Sequence, residues 1–283
     1  MNTTNQKQLF DEFSKEYPDT ACIRRLLNSG KADINALSMG RYDHLTVCWY
    51  MQSGVSKHKY HWNLCHPFWG TVDTEKKLHA FKSHFYPLLD ILEDYNFNIM
   101  NGSSFRVRPD GSKHGHAFAG FRFLDLTEFS IMARYDVPRL IQFFERLYFS
   151  QGHSVDDESV IRIPYLSPLL WSGSSSYKPE LILYFIIKGA QWNEPAWQQQ
   201  GYETRITNFA VEVPPAAAVD MIIMLQKVLG ANYATGREGA NLRGFLAAAY
   251  GTVAAVRILE KVVGVIARKR RMYALNTVPW ISV

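Results

Sequence analysis

A group of metal-binding and nucleophilic side chains lies in the stretch HKYHWNLCHPFW at residues 58–69. Structural zinc ligands usually come in pairs separated by about two to five residues. His58 and His61 have such a spacing. The adjacent pair of Cys65 and His66 fits poorly around one tetrahedral ion. Zinc binding by His58, His61 and Cys65 is therefore an alternative, and the leading prediction includes no metal and no cofactor.

The same cysteine could act as a nucleophile if a nearby histidine took up its proton. His116 is the candidate base, and Asp110 or Asn63 could orient its imidazole. No family-specific catalytic phrase surrounds Cys65, and the chain contains neither HExxH nor GxSxG. A cysteine-dependent hydrolase or transferase that uses Cys65 and His116 is the enzymatic alternative.

Large apolar side chains alternate with these histidines, which favours a packing role for the stretch. Such residues usually fold back over a neighbouring helix pair, while the histidine edges stay in water. The residues concerned are Trp62, Leu64, Pro67, Phe68 and Trp69. The favoured interpretation is a packed insertion that also contributes to a binding surface.

The composition is that of a folded protein in a reducing compartment. Hydrophobic residues make up 47% and charged residues 20% of the 283 positions. The three cysteines form no CxxC pair, which predicts the cytoplasm rather than a disulfide scaffold. The net charge of +5 is spread along the chain except for the run at 268–271, so nucleic acid is a disfavoured partner. That run is more typical of a helix C-terminal cap than of a targeting signal.

Neither a signal peptide nor a membrane span is predicted. The N-terminal residues lack a basic region followed by an apolar stretch. The most apolar segment, residues 244–267, is interrupted by Arg257, Glu260 and Lys261. We therefore expect this segment to form a packed pair of helices rather than to cross a membrane.

One sequence pattern recurs along the chain. It consists of an apolar helical stretch, a glycine or polar break, and a short extended segment, here called a finger segment, that ends near Asn or Asp. The apolar residues have the spacing of a buried helix face, and Gly30 and Gly189 are predicted left-handed C-caps. Tight corners between helices are predicted at 133–136 and 249–252. The paired carboxylates Glu93 and Asp94 are expected to be solvated. The pattern covers residues 22–36, 87–101, 139–157, 181–194, 221–236 and, in part, 254–264.

Three short sequences resemble parts of the ankyrin repeat, two of them within these stretches. The sequences IIKGAQWN at 186–193 and LLNSGKADIN at 26–35 are similar to the end of a repeat, and LSPLLW at 166–171 is similar to its opening. The finger segments are 66, 55, 37 and 40 residues apart, against about 33 in the family. The resemblance implies an all-α solenoid of degenerate ankyrin-like helix-turn-helix repeats that forms a single array over residues 1–283.

Two insertions and a terminal segment interrupt this array. The insertions are predicted at about 54–75 and 101–124, and the second reads as a β-hairpin around the turn signal PDG. Residues 265–283 are predicted to form a C-terminal cap or tail.

The resemblance implies a non-catalytic scaffold that binds another protein through its concave helical face and finger loops. Exposed aromatic and arginine side chains are the types that dominate binding energy. The predicted contact residues are Arg41, Tyr42, Phe105, Arg106, Arg108, Trp192 and Tyr202. In style the chain also resembles ankyrin-like proteins that intracellular bacteria deliver into host cells, which makes a host protein a partner to consider. A third alternative is nucleic-acid binding by Arg106, Arg108, Arg122 and the run at 268–271.

Overall fold

The structure is a computed structural model in which most of the regular elements are helices. It confirms the predicted all-α character. Contacts divide the chain into two compact units, Met1–Tyr177 and Lys178–Val283. The prediction of one continuous array stays a prediction. The structure describes residues 3–39, 44–45, 47, 50–51, 74–98, 106–107, 113–114, 127–152, 179–189, 209–230 and 236–276.

The first unit contains five described helices and two very short antiparallel ladders. The ladders pair β1 (Ser38–Met39) with β2 (His44–Leu45) and β3 (Arg106–Val107) with β4 (Lys113–His114). The second ladder lies inside the insertion for which a hairpin is predicted. The helices are α1 (Thr3–Phe13), α2 (Thr20–Asn28), α3 (Thr74–Asp94), α4 (Thr127–Tyr135) and α5 (Val137–Phe143), which continues as a π turn (Phe144–Tyr148) and a 3-10 turn (Phe149–Gln151).

Helix α2 has a side-chain cap at its start and a left-handed glycine after its end. The Asp19 side chain accepts a hydrogen bond from Cys22 N at 3.0 Å and so satisfies one free N–H of the first turn. Ile23 and Leu26 lie on the buried face. The helix is followed by Gly30 at φ +65°, which confirms the predicted left-handed C-cap.

The apolar pattern predicts that a helix starts at Pro87, but helix α3 begins 13 residues earlier, at Thr74. Proline is favoured in the first turn of a helix and costs about 3 kcal/mol inside one. Here the apolar spacing extends upstream through Phe81 and Phe85, and both rings are fully buried. Burial of these rings offsets the hydrogen bond that Pro87 cannot make, so the helix runs through it.

Helix α3 ends at a left-handed asparagine instead of a glycine. Asn96 has φ +50°, its N–H donates to Glu93 O at 3.2 Å, and Phe97 N donates to Leu92 O at 2.9 Å. These two bonds form the Schellman motif that usually carries glycine. Phe97 and Leu92 are both buried, as the motif favours, and asparagine is the other residue that tolerates this conformation.

The second unit is built from four described helices, and their buried faces form its core. Helix α9 packs on α7 and α8, and α6 packs on the same two helices. Six of the nine residues of α6 are buried, so this helix is covered on more than one side. The helices are α6 (Pro179–Ile187), α7 (Pro215–Leu229), α8 (Gly236–Tyr250) and α9 (Thr252–Asn276).

Glycines end two helices of this unit where the sequence predicts a break. Gly189 has φ +103° after α6, and the Asn241 side chain donates to Ile187 O at 3.4 Å. Gly251 has φ +84° between α8 and α9, which confirms the predicted tight corner there. Both glycines adopt a region that residues with a Cβ rarely enter.

The long terminal helix corrects one expectation about the basic run at 268–271. Helix α9 extends to Asn276, and its last turn holds no basic residue. The run therefore lies inside the helix and does not cap its C terminus. Within the ranges that the structure describes, no helix combines the length and apolarity that a membrane crossing requires.

Two glycine substitutions in the second unit should change stability in opposite directions. Gly230 follows α7 at φ +65°, and Gly264 lies within α9; an added Cβ meets nothing within 4 Å at either position. Gly230→Ala should lower the free energy of unfolding by about 1 to 2 kcal/mol because alanine avoids the left-handed region. Gly264→Ala should raise it by about 0.5 to 1 kcal/mol through helix propensity. Urea denaturation measures both free energies of unfolding, and destabilisation by Gly264→Ala would contradict the placement of Gly264 within helix α9.

Candidate functional site

Of the predicted contact, catalytic and metal-binding residues, only Arg106 falls in the described ranges. Its backbone lies in β3, where it pairs with His114 of β4. The binding, catalytic and metal-binding roles predicted from the sequence therefore stay predictions. The other proposed contact residues, Arg41, Tyr42, Phe105, Arg108, Trp192 and Tyr202, lie outside the described residues, as do the alternative catalytic and metal residues His58, His61, Cys65 and His116.

Helix α3 contacts α2 and the helical run that follows the α4–α5 corner, and these contacts organise the described part of the first unit. Toward α2, Arg24 bonds Asp94 at 2.7 Å, and Tyr95 OH, just after α3, donates to Asn28 Oδ1 at 2.6 Å. The contacts with the α4–α5 corner and the helix after it come from residues spaced three or four apart along α3, namely Lys82, Tyr86, Asp90 and Glu93.

The Glu93 carboxylate is held between two arginines that follow the α4–α5 corner. Its Oε1 is 2.5 Å from Arg139 Nη1 and its Oε2 is 2.8 Å from Arg146 Nη1. Arg139 also reaches Asp90 at 2.7 Å. The Glu93 side chain is only 4% exposed, so the expectation that it is solvated is wrong. Its partners are 46 and 53 residues away in sequence, which no local pattern reveals.

Asp136 joins three elements at the corner between α4 and α5. Its Oδ2 accepts hydrogen bonds from Lys82 Nζ at 2.6 Å and Tyr86 OH at 2.9 Å. Its Oδ1 accepts from Arg139 N at 3.2 Å and so caps α5. This geometry confirms the predicted corner at 133–136. The sequence identifies the corner but not the lysine and tyrosine that approach it from α3.

The environment of this cluster keeps Asp136 charged and Tyr86 neutral. Burial alone would raise the pKa of Asp136, but hydrogen bonds from Lys82 and Tyr86 outweigh it, so the pKa lies below its ordinary value. Burial, followed by the hydrogen bond to Asp136, raises the pKa of Tyr86 far above its ordinary value. Both oxygens of Asp136 are already bonded, so the cluster acts as a clamp between helices rather than as a reactive centre.

Side chains that bond to backbone connect the finger segment after α2 to neighbouring chain. Gln6 Nε2 donates to Asp33 O at 3.0 Å, and Asp33 N donates to Gln6 Oε1 at 2.8 Å. Asn98 N, which follows α3, donates to Asn35 Oδ1 at 2.7 Å. The segment after α2 is therefore tied to α1 on one side and to the segment after α3 on the other.

The same pattern continues to the end of the helical run that begins with α5. Gln151 Nε2 donates to Phe97 O at 2.7 Å, and Gly152 follows with φ +82°. The bonds Gln6–Asp33, Asn35–Asn98 and Gln151–Phe97 are here called the finger ladder. The ladder is a feature that sequence analysis missed, although the recurrent Asn and Asp residues of the finger segments hint at it.

An exposed aromatic side chain marks the connection between α1 and α2. Tyr17 is 63% exposed, and its ring meets that of His84 edge-on with centroids 5.0 Å apart. A tyrosine supported in this way is of the type that anchors protein interfaces. Its only signal in the sequence is its place in a polar connection between two helical stretches.

The titratable side chains in the described ranges provide neither a metal site nor a reactive thiol. Within those ranges, no group of His, Cys, Asp and Glu is arranged to hold a metal ion. Cys22 is 5% exposed, and its sulfur accepts from Gln8 Nε2 and Arg25 Nη2 at 3.7 and 3.4 Å. A thiol buried in this way packs as a small apolar group.

Comparison with known proteins assigns no family to the chain. No family model matches it. No curated protein matches it, and no solved structure matches it. What the chain does must therefore be argued from the contacts of its described residues.

The Asp136 clamp should stabilise the fold in a pH-dependent manner. Asp136→Asn should lower the free energy of unfolding at neutral pH by about 1 to 2 kcal/mol, since the charged hydrogen bonds to Lys82 and Tyr86 weaken. Because the folded pKa is depressed, the contribution is complete above about pH 4, the unfolded value, and is lost as pH falls through the folded pKa.

Urea denaturation of both proteins between neutral and acid pH measures this difference. Asp94→Asn is the matched control, because Asp94 is 53% exposed and should contribute no more than about 0.5 kcal/mol. A difference between Asp136→Asn and the unmodified chain that persists undiminished at low pH would contradict the assigned role of the carboxylate.

Proposed function

We propose that the chain is a divergent ankyrin-like repeat array that binds another protein without catalysing a reaction. Binding would use the concave helical face and the finger loops. The observation that supports this proposal most strongly is the finger ladder, because it ties successive segments to one another in chain order. Repeats that contact mainly their neighbours form extended surfaces, and such surfaces commonly serve as binding platforms.

Three helical runs of the first unit end in the same way, which supports a repeated unit. Gly30 after α2, Asn96 after α3 and Gly152 after the α5 run all have positive φ. Helix α3 contacts both α2, which precedes it, and the α5 run, which follows it in the chain, as a middle member of a stack would. A unit that repeats a helix, a left-handed turn and a finger segment buries its apolar face only by stacking.

The proposed contacts combine Tyr17 with the aromatic and basic residues that the sequence places in fingers and insertions. Tyr17 is highly exposed and held by His84. The other seven are Arg41, Tyr42, Phe105, Arg106, Arg108, Trp192 and Tyr202. Their types suit binding because a few aromatic and arginine side chains usually supply most of the energy of an interface.

Binding by the proposed contacts can be measured once a partner is captured with the tagged full chain and purified. Tyr17→Ser and Trp192→Ala should each weaken the affinity in calorimetric titration by about tenfold or more, as expected at a hot spot. Lys7→Ser is the control because Lys7 is an exposed residue of α1. A partner whose affinity is unchanged by Tyr17→Ser, Trp192→Ala and Tyr42→Ala would contradict the proposed surface.

Cysteine reactivity separates this proposal from the enzymatic alternative. We expect Cys22 to alkylate slowly because its sulfur is buried. The non-catalytic proposal further expects Cys65 to react slowly well below about pH 8, where an ordinary thiol is protonated, and to be indifferent to chelators. Mass spectrometry of alkylated peptides measures each site. Fast reaction of Cys65 that is lost in His116→Ala would instead support the hydrolase or transferase.

A further inference from the structure

An open groove in the second unit lies where α9 begins, beside the start of α7. Its volume is about 710 Å³. Tyr250 forms part of the wall and is fixed in place, since its hydroxyl donates to Val213 O at 2.6 Å. The groove is lined by Pro215, Tyr250, Val253, Arg257, Ile258 and Lys261, among others.

Among the described residues that line this groove, the charged ones are Arg257 and Lys261, while Glu260, exposed on the same helix, is not part of the lining. Arg257 and Lys261 are four residues apart on α9, about 6 Å along the helix axis, and both are exposed. Neither bonds a carboxylate within the residues that the structure describes, and no Asp or Glu lines the groove. The first turn of α9 also lacks an acidic residue, so the positive end of that helix adds to the field.

Exposed valines continue from the groove along the same helix. Val253 is 68% exposed, and Val256 and Val263 are each 48% exposed, whereas Ile258 and Val262 face the core. The three valines span eleven residues, and the first and last are about 15 Å apart along the helix axis. Exposed apolar side chains that adjoin a positively charged groove are suited to hold the apolar face of a ligand.

We propose that this surface binds a short amphipathic helix of a partner protein, with its apolar side chains on the valines and an acidic edge on Arg257 and Lys261. Carboxylates four residues apart on the partner would match the spacing of the two cations. The valine stripe favours a peptide over nucleic acid or a lipid headgroup, because those ligands need more cations and no apolar stripe. This inference rests on the proposed function as a protein-binding chain, and it adds a second set of contact residues to those of the predicted fingers.

The test titrates the full chain with a fluorescein-labelled helical peptide that carries leucines on one face and glutamates at i and i+4 beside it. Saturable binding is expected. A peptide with glutamine in place of glutamate should bind about tenfold or more weakly, and so should the acidic peptide to the Arg257→Gln, Lys261→Gln double variant. Val256→Ser should also weaken binding of the acidic peptide, because it removes apolar contact.

Matched controls separate the groove from general electrostatics and from the fingers. Lys227→Gln removes one exposed lysine of α7 outside the groove and should change affinity by less than about twofold, as an exposed charge remote from the contact does. Tyr17→Ser should leave peptide binding unchanged. Thermal unfolding of every variant checks the fold.

Several outcomes would overturn the inference. They include no saturable binding of the acidic peptide, equal affinity for the glutamate and glutamine peptides, and equal losses of peptide affinity in Lys261→Gln and Lys227→Gln. Binding of duplex DNA or phosphatidylserine vesicles that depends on Arg257 and Lys261, with no peptide binding, would assign the surface to another ligand. If a captured partner is sensitive to Tyr17→Ser but not to the groove variants, the proposed function stands and this inference fails.

Discussion

The buried carboxylate of Glu93 between Arg139 and Arg146 is the interaction on which the first unit depends. A charge with 4% exposure is tolerated only because two guanidinium groups satisfy it. Loss of a buried partner such as Arg139, which is 12% exposed, typically costs about 3 to 5 kcal/mol, since the remaining charge stays buried, whereas the 62% exposed Arg146 contributes less. The ion pairs also restrict the relative orientation of the helices that carry them, because planar guanidinium groups meet a carboxylate in few geometries. They thereby fix how the α5 run lies on α3, and that placement brings Gln151 to Phe97 in the finger ladder.

Local signals in the sequence predict much of the helical framework. Gly30 and Gly189 end helices as expected, and the corners at 133–136 and 249–252 are present, because caps and turns depend on a few adjacent residues. Helix α3 shows where local signals fail. Pro87 predicts a start, yet burial of Phe81 and neighbouring rings extends the helix upstream, and that burial depends on residues far away in sequence.

Candidate binding surfaces were harder to predict, since exposure is decided by the fold. Tyr17 is an ordinary residue of a polar connection until His84 of α3 supports its ring. Arg257 and Lys261 are conspicuous in sequence only as interruptions of an apolar segment. Their spacing of four, together with valines at 253, 256 and 263, is the signal that identifies an exposed face, but only once the opposite face is known to be buried.

Pro87 divides α3 between its two sets of contacts with the α4–α5 corner. Because proline has no N–H, the backbone ladder of the helix lacks one bond between the Asp136 clamp and the Glu93 ion pairs. Opening of the amino-terminal turns would release the Asp136 clamp while the ion pairs of Glu93 keep the remainder in place. Helix α3 thus has two sets of contacts that can open separately. We expect amide hydrogens on the two sides of Pro87 to exchange with solvent through different opening reactions.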